Sequence, residues 1–378
     1  MLQVLYLITG TLLGTTAGLL PGLHTNNIAP AIVALPIMNP NLFIFTAATA
    51  SAFTVSSTVP SVLLGAPSGE NIAVLPGHKL TNQGKGMTAI HLTLKGTLTS
   101  IILTPIIAIY FTLLAPSLYG HLAKLFPVIL VTITLLVINK PQAAPIAILS
   151  AALGLTTLSN STIMPMLTGF FGTSTLIVAL AKGKRKTIQT KKNKPRKKGW
   201  QTTRPAVAST IISTFMGTIP AVSTAVTAVI GKALGKMDEE EYLSFIGASN
   251  TTYMTISFLT LLYLGKTRTG TTAAIATTQF PFNTLMTIAT LMASASIAYA
   301  VVKTSTPKII NFMNRKNHKK ITITALIFLL TVNILLTNIT GLAVLVTATA
   351  IGIATVKLRV SRINCMASLT IPTALLLI

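Results

Sequence analysis

Long apolar stretches follow one another along almost the whole chain. A membrane-spanning helix needs about 18 or more consecutive, mostly apolar residues. Stretches of that length occur throughout the 378-residue sequence, at 42–66, 88–114, 243–264, 270–302 and 321–338. The first twenty residues are also apolar, but they lack the basic start of a signal peptide and continue into further membrane sequence, so we expect them to belong to the folded protein. The pattern predicts an all-α polytopic membrane protein.

The charge distribution supports this interpretation. Charged residues make up 9% of the chain, whereas soluble proteins average about 25%. Lys and Arg number 29 against five Asp and Glu, and eleven of the basic residues lie in one polar segment, 182–204. Basic connections mark the cytoplasmic side of a membrane protein, which predicts a multi-pass protein of a prokaryotic cell membrane with this segment inside. RNA binding by the segment is disfavoured, because Trp200 is its only aromatic residue.

The two sides of the basic segment resemble each other in the same order. We therefore divide the chain into a first membrane repeat, a basic cytoplasmic linker and a second membrane repeat, at 1–181, 182–204 and 205–378. The matches that carry this division are Pro21 with Pro220, 199 residues apart, Ser57 with Asn250, 193 apart, and Gly84-Lys85-Gly86 with Arg268-Thr269-Gly270. Repeats with Pro and Gly interruptions at matching places are typical of secondary transporters.

Charge placement also predicts the relative direction of the repeats. Segments 2–38 and 205–235 are read as hairpins that enter and leave on one side, turning at Pro21-Gly22 and Pro220-Ala221. The alternative is that 2–20 crosses the membrane fully, which would change the topology of the first half. Five spans follow each hairpin, at 42–66, 88–114, 121–139, 142–158 and 162–181, and at 243–264, 270–302, 321–338, 340–356 and 363–378. This arrangement places nearly all basic connections inside, with Lys266 and Arg268 as exceptions. It predicts two inverted-topology repeats with broken helices or re-entrant hairpins, about ten full spans in all.

The hairpin turns are candidate substrate sites, because a broken helix presents free backbone N–H groups to an anion. In the first turn Pro21 stops one helix and Gly22 permits a sharp turn, while Thr25 or Asn26 can cap the next helix and His24 lies beside the break. The matching turn contributes Pro220, Ser223 and Thr224. Each turn alone would be read as a simple proline kink, but the occurrence of two favours the functional interpretation.

Two polar clusters within apolar segments complete the candidate substrate-binding set. They consist of Ser56, Ser57 and Thr58, and of Ser249, Asn250, Thr251 and Thr252. Neutral donors and acceptors of this kind suit a carboxylate together with Na⁺. The alternative is that the hydroxyls bond to the carbonyl four residues earlier or join neighbouring helices, which is common in membrane helices.

The remaining chemistry is sparse. Four of the five acidic residues form one water-facing run at 238–241, so Glu70 is the candidate for coupling transport to a Na⁺ or H⁺ gradient, with His24 and His91 as alternatives. No hydrolase, metalloprotease or nucleotide-binding motif is present, so we expect a protein that is not an enzyme and has no metal site and no cofactor apart from Na⁺ as a coupling ion. The alternatives left open are a flippase of another anion, such as a lipid-linked phosphate, using Lys95, and a non-transporting scaffold.

Several motifs resemble the large permease subunit of the tripartite tricarboxylate transporters, the TctA family, in its archaeal form. The matching motifs are Gly18-Leu19-Leu20-Pro21-Gly22-Leu23-His24, Pro60-Ser61-Val62-Leu63-Leu64-Gly65-Ala66-Pro67, Leu75-Pro76-Gly77-His78, Gly247-Ala248-Ser249-Asn250-Thr251-Thr252 and Gly265-Lys266-Thr267-Arg268-Thr269-Gly270. The resemblance implies ion-driven uptake of carboxylates together with a small membrane subunit and an extracytoplasmic binding protein. A homodimer stays an open alternative. The sequence departs from the family where Pro220 is followed by Ala221 and where Ser56-Ser57 replaces an Asn-bearing motif.

Overall fold

The computed structural model describes residues 1–20, 25–33, 35, 37, 39–64, 75–138, 140–157, 162–181, 188–189, 195, 199–278, 282–315 and 318–378. Every regular element in these ranges is a helix. The first repeat contains α1 (Leu2–Leu19), α2 (Thr25–Val33), α3 (Asn39–Ser56), α4 (Thr58–Leu64), α5 (Leu75–Asn82), α6 (Gly86–Leu113), α7 (Ala115–Leu122), α8 (Phe126–Val137), α9 (Ala143–Thr157), α10 (Ile163–Leu167) and α11 (Ser174–Ala181). The second contains α12 (Trp200–Met216), α13 (Thr224–Leu234), α14 (Glu239–Leu264), α15 (Gly270–Ala276), α16 (Thr284–Arg315), α17 (His318–Leu336), α18 (Ile339–Lys357) and α19 (Ala367–Leu376).

Seven helical segments in the described ranges are long and apolar enough to cross a membrane. They are Leu2–Leu19, Pro40–Leu64, Gly86–Leu113, Ala115–Val137, Ile163–Ala181, Thr284–Phe312 and Ile339–Lys357. The prediction of an all-α polytopic membrane protein is therefore confirmed.

Four of the ten predicted spans are not among these seven, at 142–158, 243–264, 321–338 and 363–378, and the structure gives a physical reason for two of them. Helix α14 has 26 residues and is about 39 Å long at 1.5 Å per residue, so it is long enough to span. Every residue from Tyr242 to Thr260 is buried against protein instead of lipid, so its side chains need not be as apolar as those of a lipid-facing helix. Helix α19 has only 10 residues, because the start of the predicted span 363–378 forms the 3₁₀ turn Arg362–Met366.

The first hairpin is visible in the order of the contacts between α1 and α3. The Cα atoms of Gly10, Gly14 and Gly18 face the main chain of Phe45, Thr49 and Phe53 respectively, so closely that an added Cβ would clash. Because the contacts advance together along both helices, α1 and α3 run in the same direction. The short α2 therefore returns the chain to the side from which α1 entered, as predicted.

The second hairpin repeats this arrangement. The Ser209 hydroxyl donates to the Phe245 carbonyl at 2.6 Å, and the Ser213 hydroxyl donates to that of Ser249 at 3.0 Å. Gly217, at the end of α12, lies against Ile256. Helices α12 and α14 are thus parallel, and α13 returns the chain between them.

The two repeats run in opposite directions. The Phe43 and Phe258 rings are in edge contact with centroids 6.0 Å apart, which joins the start of α3 to the end of α14. Val55 and Val59, near the other end of the first repeat's helix, share a hydrophobic cluster with Leu243 at the start of α14. Helices α3 and α14 are therefore antiparallel, which agrees with inverted repeats.

Each repeat also packs a long helix onto the other repeat. Helix α6 follows α14 in parallel, with Gly247 against the Thr93 carbonyl and a 2.7 Å hydrogen bond between the hydroxyls of Ser100 and Thr252. Helix α16 follows α3, where the Ser51 hydroxyl donates to the Leu291 carbonyl at 2.9 Å and Ser294 donates to the Ala48 carbonyl at 2.6 Å. Short side chains and hydroxyls suit such close approaches between membrane helices.

These directions place the ends of the helices on two faces. Helices α6, α12 and α14 begin on the face that carries the basic linker, and α6 and α14 end on the opposite face near Lys266. The positive-inside rule predicts that the linker face is the cytoplasmic one. An exposed lysine on each face, Lys236 and Lys266, offers a matched pair of labelling positions.

We predict that a membrane-impermeant maleimide labels Lys266→Cys in intact cells but labels Lys236→Cys only after permeabilisation. The native Cys365 is fully buried and should contribute no background. Labelling of Lys236→Cys alone in intact cells would contradict the orientation assigned to both repeats.

Candidate functional site: the helix breaks of the two hairpins

The break in the second hairpin extends from Gly217 to Ser223, between α12 and α13. Ala221 has φ of +57°, a left-handed conformation that costs roughly 1–2 kcal/mol for a residue with a side chain. This strain explains physically why glycine would be expected after Pro220. Two side chains that lie beyond the break bond to it: Tyr253 donates to the Val222 carbonyl, and Arg268 donates to the Thr218 carbonyl.

A buried hydroxyl lies at the start of the returning half-helix in both hairpins. Thr25 is the first residue of α2 and is 2% exposed, and Ser223 precedes α13 and is 9% exposed. Neither hydroxyl oxygen has a hydrogen-bond partner among the described residues. An unpartnered buried hydroxyl is unfavourable, and the first turn of a helix carries a positive partial charge. Each hairpin therefore presents a buried hydroxyl at the start of its returning half-helix, at neighbouring rather than identical positions of the two helix starts.

The rest of the two predicted turns is described in part. Pro220 is half-buried at the tip of the second hairpin, and Thr224 is buried in the first turn of α13. Pro21, Gly22, His24 and the coupling candidate Glu70 lie outside the described residues, as does the side chain of Asn26. Their roles stay predictions.

The first polar cluster is buried and bonds mainly to its own helix. The hydroxyl of Ser56 lies 3.0 Å from the Ala52 carbonyl, that of Ser57 lies 3.4 Å from the Thr54 carbonyl, and that of Thr58 lies 2.8 Å from the Val55 carbonyl. Ser57 also separates α3 from α4, and Pro60 cannot donate to the Ser56 carbonyl. The cluster thus lies at a helix break, while its hydroxyls make the local bonds of the structural interpretation.

The second cluster joins α14 to its neighbours. Ser249 bonds to Ser213 on α12, Thr251 donates to Thr97 on α6 at 3.3 Å, and Thr252 bonds to Ser100 on α6. These three hydroxyls therefore contribute to helix packing in this conformation.

Asn250 occupies a different position, on the face of α14 that meets α3. Its neighbours one turn before and after, Ile246 and Met254, belong to the clusters that α14 shares with α3. Asn250 is 3% exposed and lies near the middle of the 26-residue helix. Tyr253, less than one turn further along, bonds to the hairpin break. Asn250 therefore lies halfway through α14, three residues before the tyrosine that bonds to the second break.

The packing defines a register between the repeats that differs from the sequence match. Phe45 and Thr49 of α3 contact α1, the first helix of their repeat. Phe245 and Ser249 of α14 contact α12 in the same way, so residues of α3 and α14 correspond at an offset of 200. Ser57 then corresponds to Ser257, and Asn250 corresponds to Ala50. The match of Ser57 with Asn250 aligned two Ser/Thr runs that lie two helical turns apart, because residue type alone does not report which face of a helix is packed.

Lys95, the residue on which the flippase alternative depends, contacts the start of α12. Its ammonium donates to the Gly199 carbonyl at 2.7 Å and to the Thr202 hydroxyl. The side chain thus extends to the start of α12 on the linker face, where a long lysine can keep its charge near water.

Sequence reasoning missed the role of Tyr253 and that of Arg268 at the break. The signals were a tyrosine one turn after an intramembrane asparagine and an arginine beside a glycine-rich turn on an otherwise weakly charged face. Within the described residues, no three His, Cys, Asp or Glu side chains converge as metal ligands.

The chain is similar in sequence to a known family and to a protein of known sequence. Residues 4–367 match the tripartite tricarboxylate transporter TctA family, which is a family of transporters rather than enzymes. The chain is also 27% identical over 397 residues to an uncharacterized protein of Methanocaldococcus jannaschii, with 99% of each chain covered. No solved structure matches. Since the family match spans nearly the whole chain, the protein belongs to the tripartite tricarboxylate transporter TctA family.

Proposed function

We propose that this chain is the permease that carries tricarboxylates or closely related carboxylates into a prokaryotic cell, by alternating access and coupled to an ion gradient. The observation that carries the proposal is the pair of buried, unpartnered hydroxyls, Thr25 and Ser223, at the start of the returning half-helix in each of two antiparallel hairpins. A carboxylate can accept hydrogen bonds from these hydroxyls and from the backbone N–H groups beside them.

Inverted hairpins suit alternating access. The first hairpin opens to the face of Lys266, and the second opens to the face of Lys236. A substrate held between the breaks, near Asn250 at the middle of α14, would be released to one face or the other as the repeats exchange conformations. The substrate region then also includes Ser56–Thr58 and Ser249–Thr252, with some of their present helix-packing bonds exchanged during transport.

Na⁺ is the coupling ion that the described residues favour. Their acidic side chains, Asp238 and Glu239 to Glu241, all lie at the cytoplasmic start of α14, where Asp238 and Glu241 form a capping box. Deep in the protein, the described residues offer hydroxyl and carbonyl oxygens rather than carboxylates, and such oxygens can coordinate Na⁺. One of them is the Ser56 carbonyl, because Pro60 cannot supply its usual helical donor. The transporter would operate at the cell membrane with the small subunit and the extracytoplasmic binding protein of a tripartite system.

We expect Thr25→Val and Ser223→Ala each to weaken citrate binding and counterflow about tenfold, because a hydrogen bond to a charged ligand contributes about 1.5 kcal/mol or more. Binding would be measured by thermal stabilisation of purified protein with and without Na⁺, and transport by radiolabelled citrate counterflow in proteoliposomes.

The matched controls are Thr304→Val and Ser117→Ala, which remove exposed hydroxyls from α16 and α7. Both should behave as the unmodified protein does. Citrate stabilisation and counterflow that are unchanged in Thr25→Val and Ser223→Ala would reject the hairpin site.

A further inference from the structure

Arg268 joins the outer face to the break of the second hairpin. It lies in the connection between α14 and α15, and its Nη2 donates to the Thr218 carbonyl and lies 3.4 Å from the Tyr119 hydroxyl. The guanidinium carbon is 5.8 Å from the centroid of the Tyr119 ring. One side chain thus contacts the connection, the hairpin break and α7 at the same time.

The main chain around Arg268 is fixed on both sides. Gly265 ends α14 with φ of +61°, and Thr269 and Thr272 form a capping box at the start of α15. The Arg268 amide itself donates to the Thr272 hydroxyl at 3.2 Å. Because the backbone is held, any change in the contacts of this arginine must come from its side chain or from the hairpin that it touches.

The guanidinium is only partly satisfied. Its Nε is buried and has no partner among the described residues. The described acidic residues all lie at the other face, at the start of α14, so none of them neutralises Arg268. The Nε–Nη2 edge is the side-on position at which arginine binds a carboxylate with two hydrogen bonds. Here Nη2 is occupied by a neutral carbonyl and Nε is covered.

We propose that Arg268 is the outer gate and entry site for the carboxylate substrate. In the conformation described here the arginine holds the second hairpin by its bond to Thr218. An arriving carboxylate replaces the Thr218 carbonyl on the Nε–Nη2 edge and frees the hairpin break to move. The exposed Lys266 adds positive charge at the same face and attracts anions to the entry.

This inference rests on the proposed transport function and specifies how the substrate opens the site. A purely structural arginine would stabilise the fold without responding to substrate. A gate must instead make the exposure of the hairpin break depend on the carboxylate, which a cysteine at Thr218 can report. Thr218 is half-buried, so its reaction with a thiol reagent should be slow while the gate is closed.

The test uses full-length Thr218→Cys protein in right-side-out vesicles, treated with an impermeant maleimide with and without saturating citrate. We expect citrate to accelerate labelling at least about fivefold. With Arg268→Lys added, which keeps the charge but removes the two-donor edge, labelling should be fast without citrate and insensitive to it. In the native background Arg268→Lys should raise the KM for citrate uptake about tenfold or more, with a smaller effect on the maximal rate.

Lys266→Gln is the matched control, since it removes the neighbouring outer charge without touching the hairpin. In this background, citrate should still accelerate the labelling of Thr218→Cys. Unchanged KM and unchanged labelling in Arg268→Lys, in a protein that takes up citrate, would overturn the gate and leave the proposed function standing. If the unmodified protein neither binds nor takes up citrate when the small subunit and the binding protein are also present, the proposed function fails and the gate fails with it. Thermal stability of each variant without citrate separates either result from misfolding.

Discussion

Gly247→Ala is expected to destabilise the protein by about 1–3 kcal/mol or more, because the added methyl group cannot fit between α14 and α6. A Cβ at Gly247 would lie 1.9 Å from the Thr93 carbonyl oxygen, and a Cβ at Gly96 would lie 1.9 Å from the Ser244 carbonyl oxygen. Both obstacles are main-chain atoms, so the helices themselves must separate. The fall should be visible in the apparent melting temperature and in the yield of monodisperse protein in detergent.

Gly120→Ala is the control for this change. Gly120 is also helical, but nothing lies within 4 Å of the position of its Cβ, so alanine should be neutral or slightly stabilising there. Gly96→Ala combined with Gly247→Ala should destabilise by less than the sum of the single effects, since one separation of the helices accommodates both methyl groups. If Gly247→Ala were as stable as Gly120→Ala, the close crossing of the repeats would be disproved.

Asn250→Ala should lower citrate counterflow roughly 10- to 150-fold while the protein stays folded, the range that corresponds to losing one hydrogen bond to a charged group. The carboxamide is buried at the middle of α14, on its α3 face and one turn from the tyrosine that holds the hairpin break. An amide can both donate to a carboxylate and offer an oxygen to a cation. The measurement is counterflow in proteoliposomes, compared with thermal stabilisation by citrate.

Asn333→Ala provides the matched deletion of a second buried carboxamide. Asn333 is fully buried on α17, where its amide donates to the Leu329 carbonyl at 2.8 Å. We expect this variant to lose stability but to retain transport for each folded molecule. Equal losses of counterflow in the two variants, in proportion to their loss of stability, would show that Asn250 serves only to pack α14.

The topology could be predicted from the sequence because its determinants are local. Pro220 interrupts a helix wherever that helix packs, and lysines such as Lys236 mark the cytoplasmic face by their charge alone. The contacts between α1 and α3, and those between α12 and α14, advance in the same direction along both helices, which agrees with the hairpins that these signals predicted. The register between the repeats could not be obtained in this way, since it depends on which small residues face one another, as Gly14 faces Thr49.

The candidate site could be predicted only in part for a related reason. A hydroxyl that bonds to its own helix, such as Thr58, and one without a partner, such as Thr25, look alike in a sequence. Only packing by other helices decides whether the carbonyl one turn earlier is within reach. Likewise, Arg268 could be assigned to the outer face from the topology, but its bond to Thr218 joins residues 50 positions apart and requires the folded hairpin.

The crosswise packing of α6 on α14 and of α16 on α3 means that neither half of the chain encloses its own core. Each half completes the other's helix layer, so one half expressed alone would expose the surfaces that receive α6 or α16.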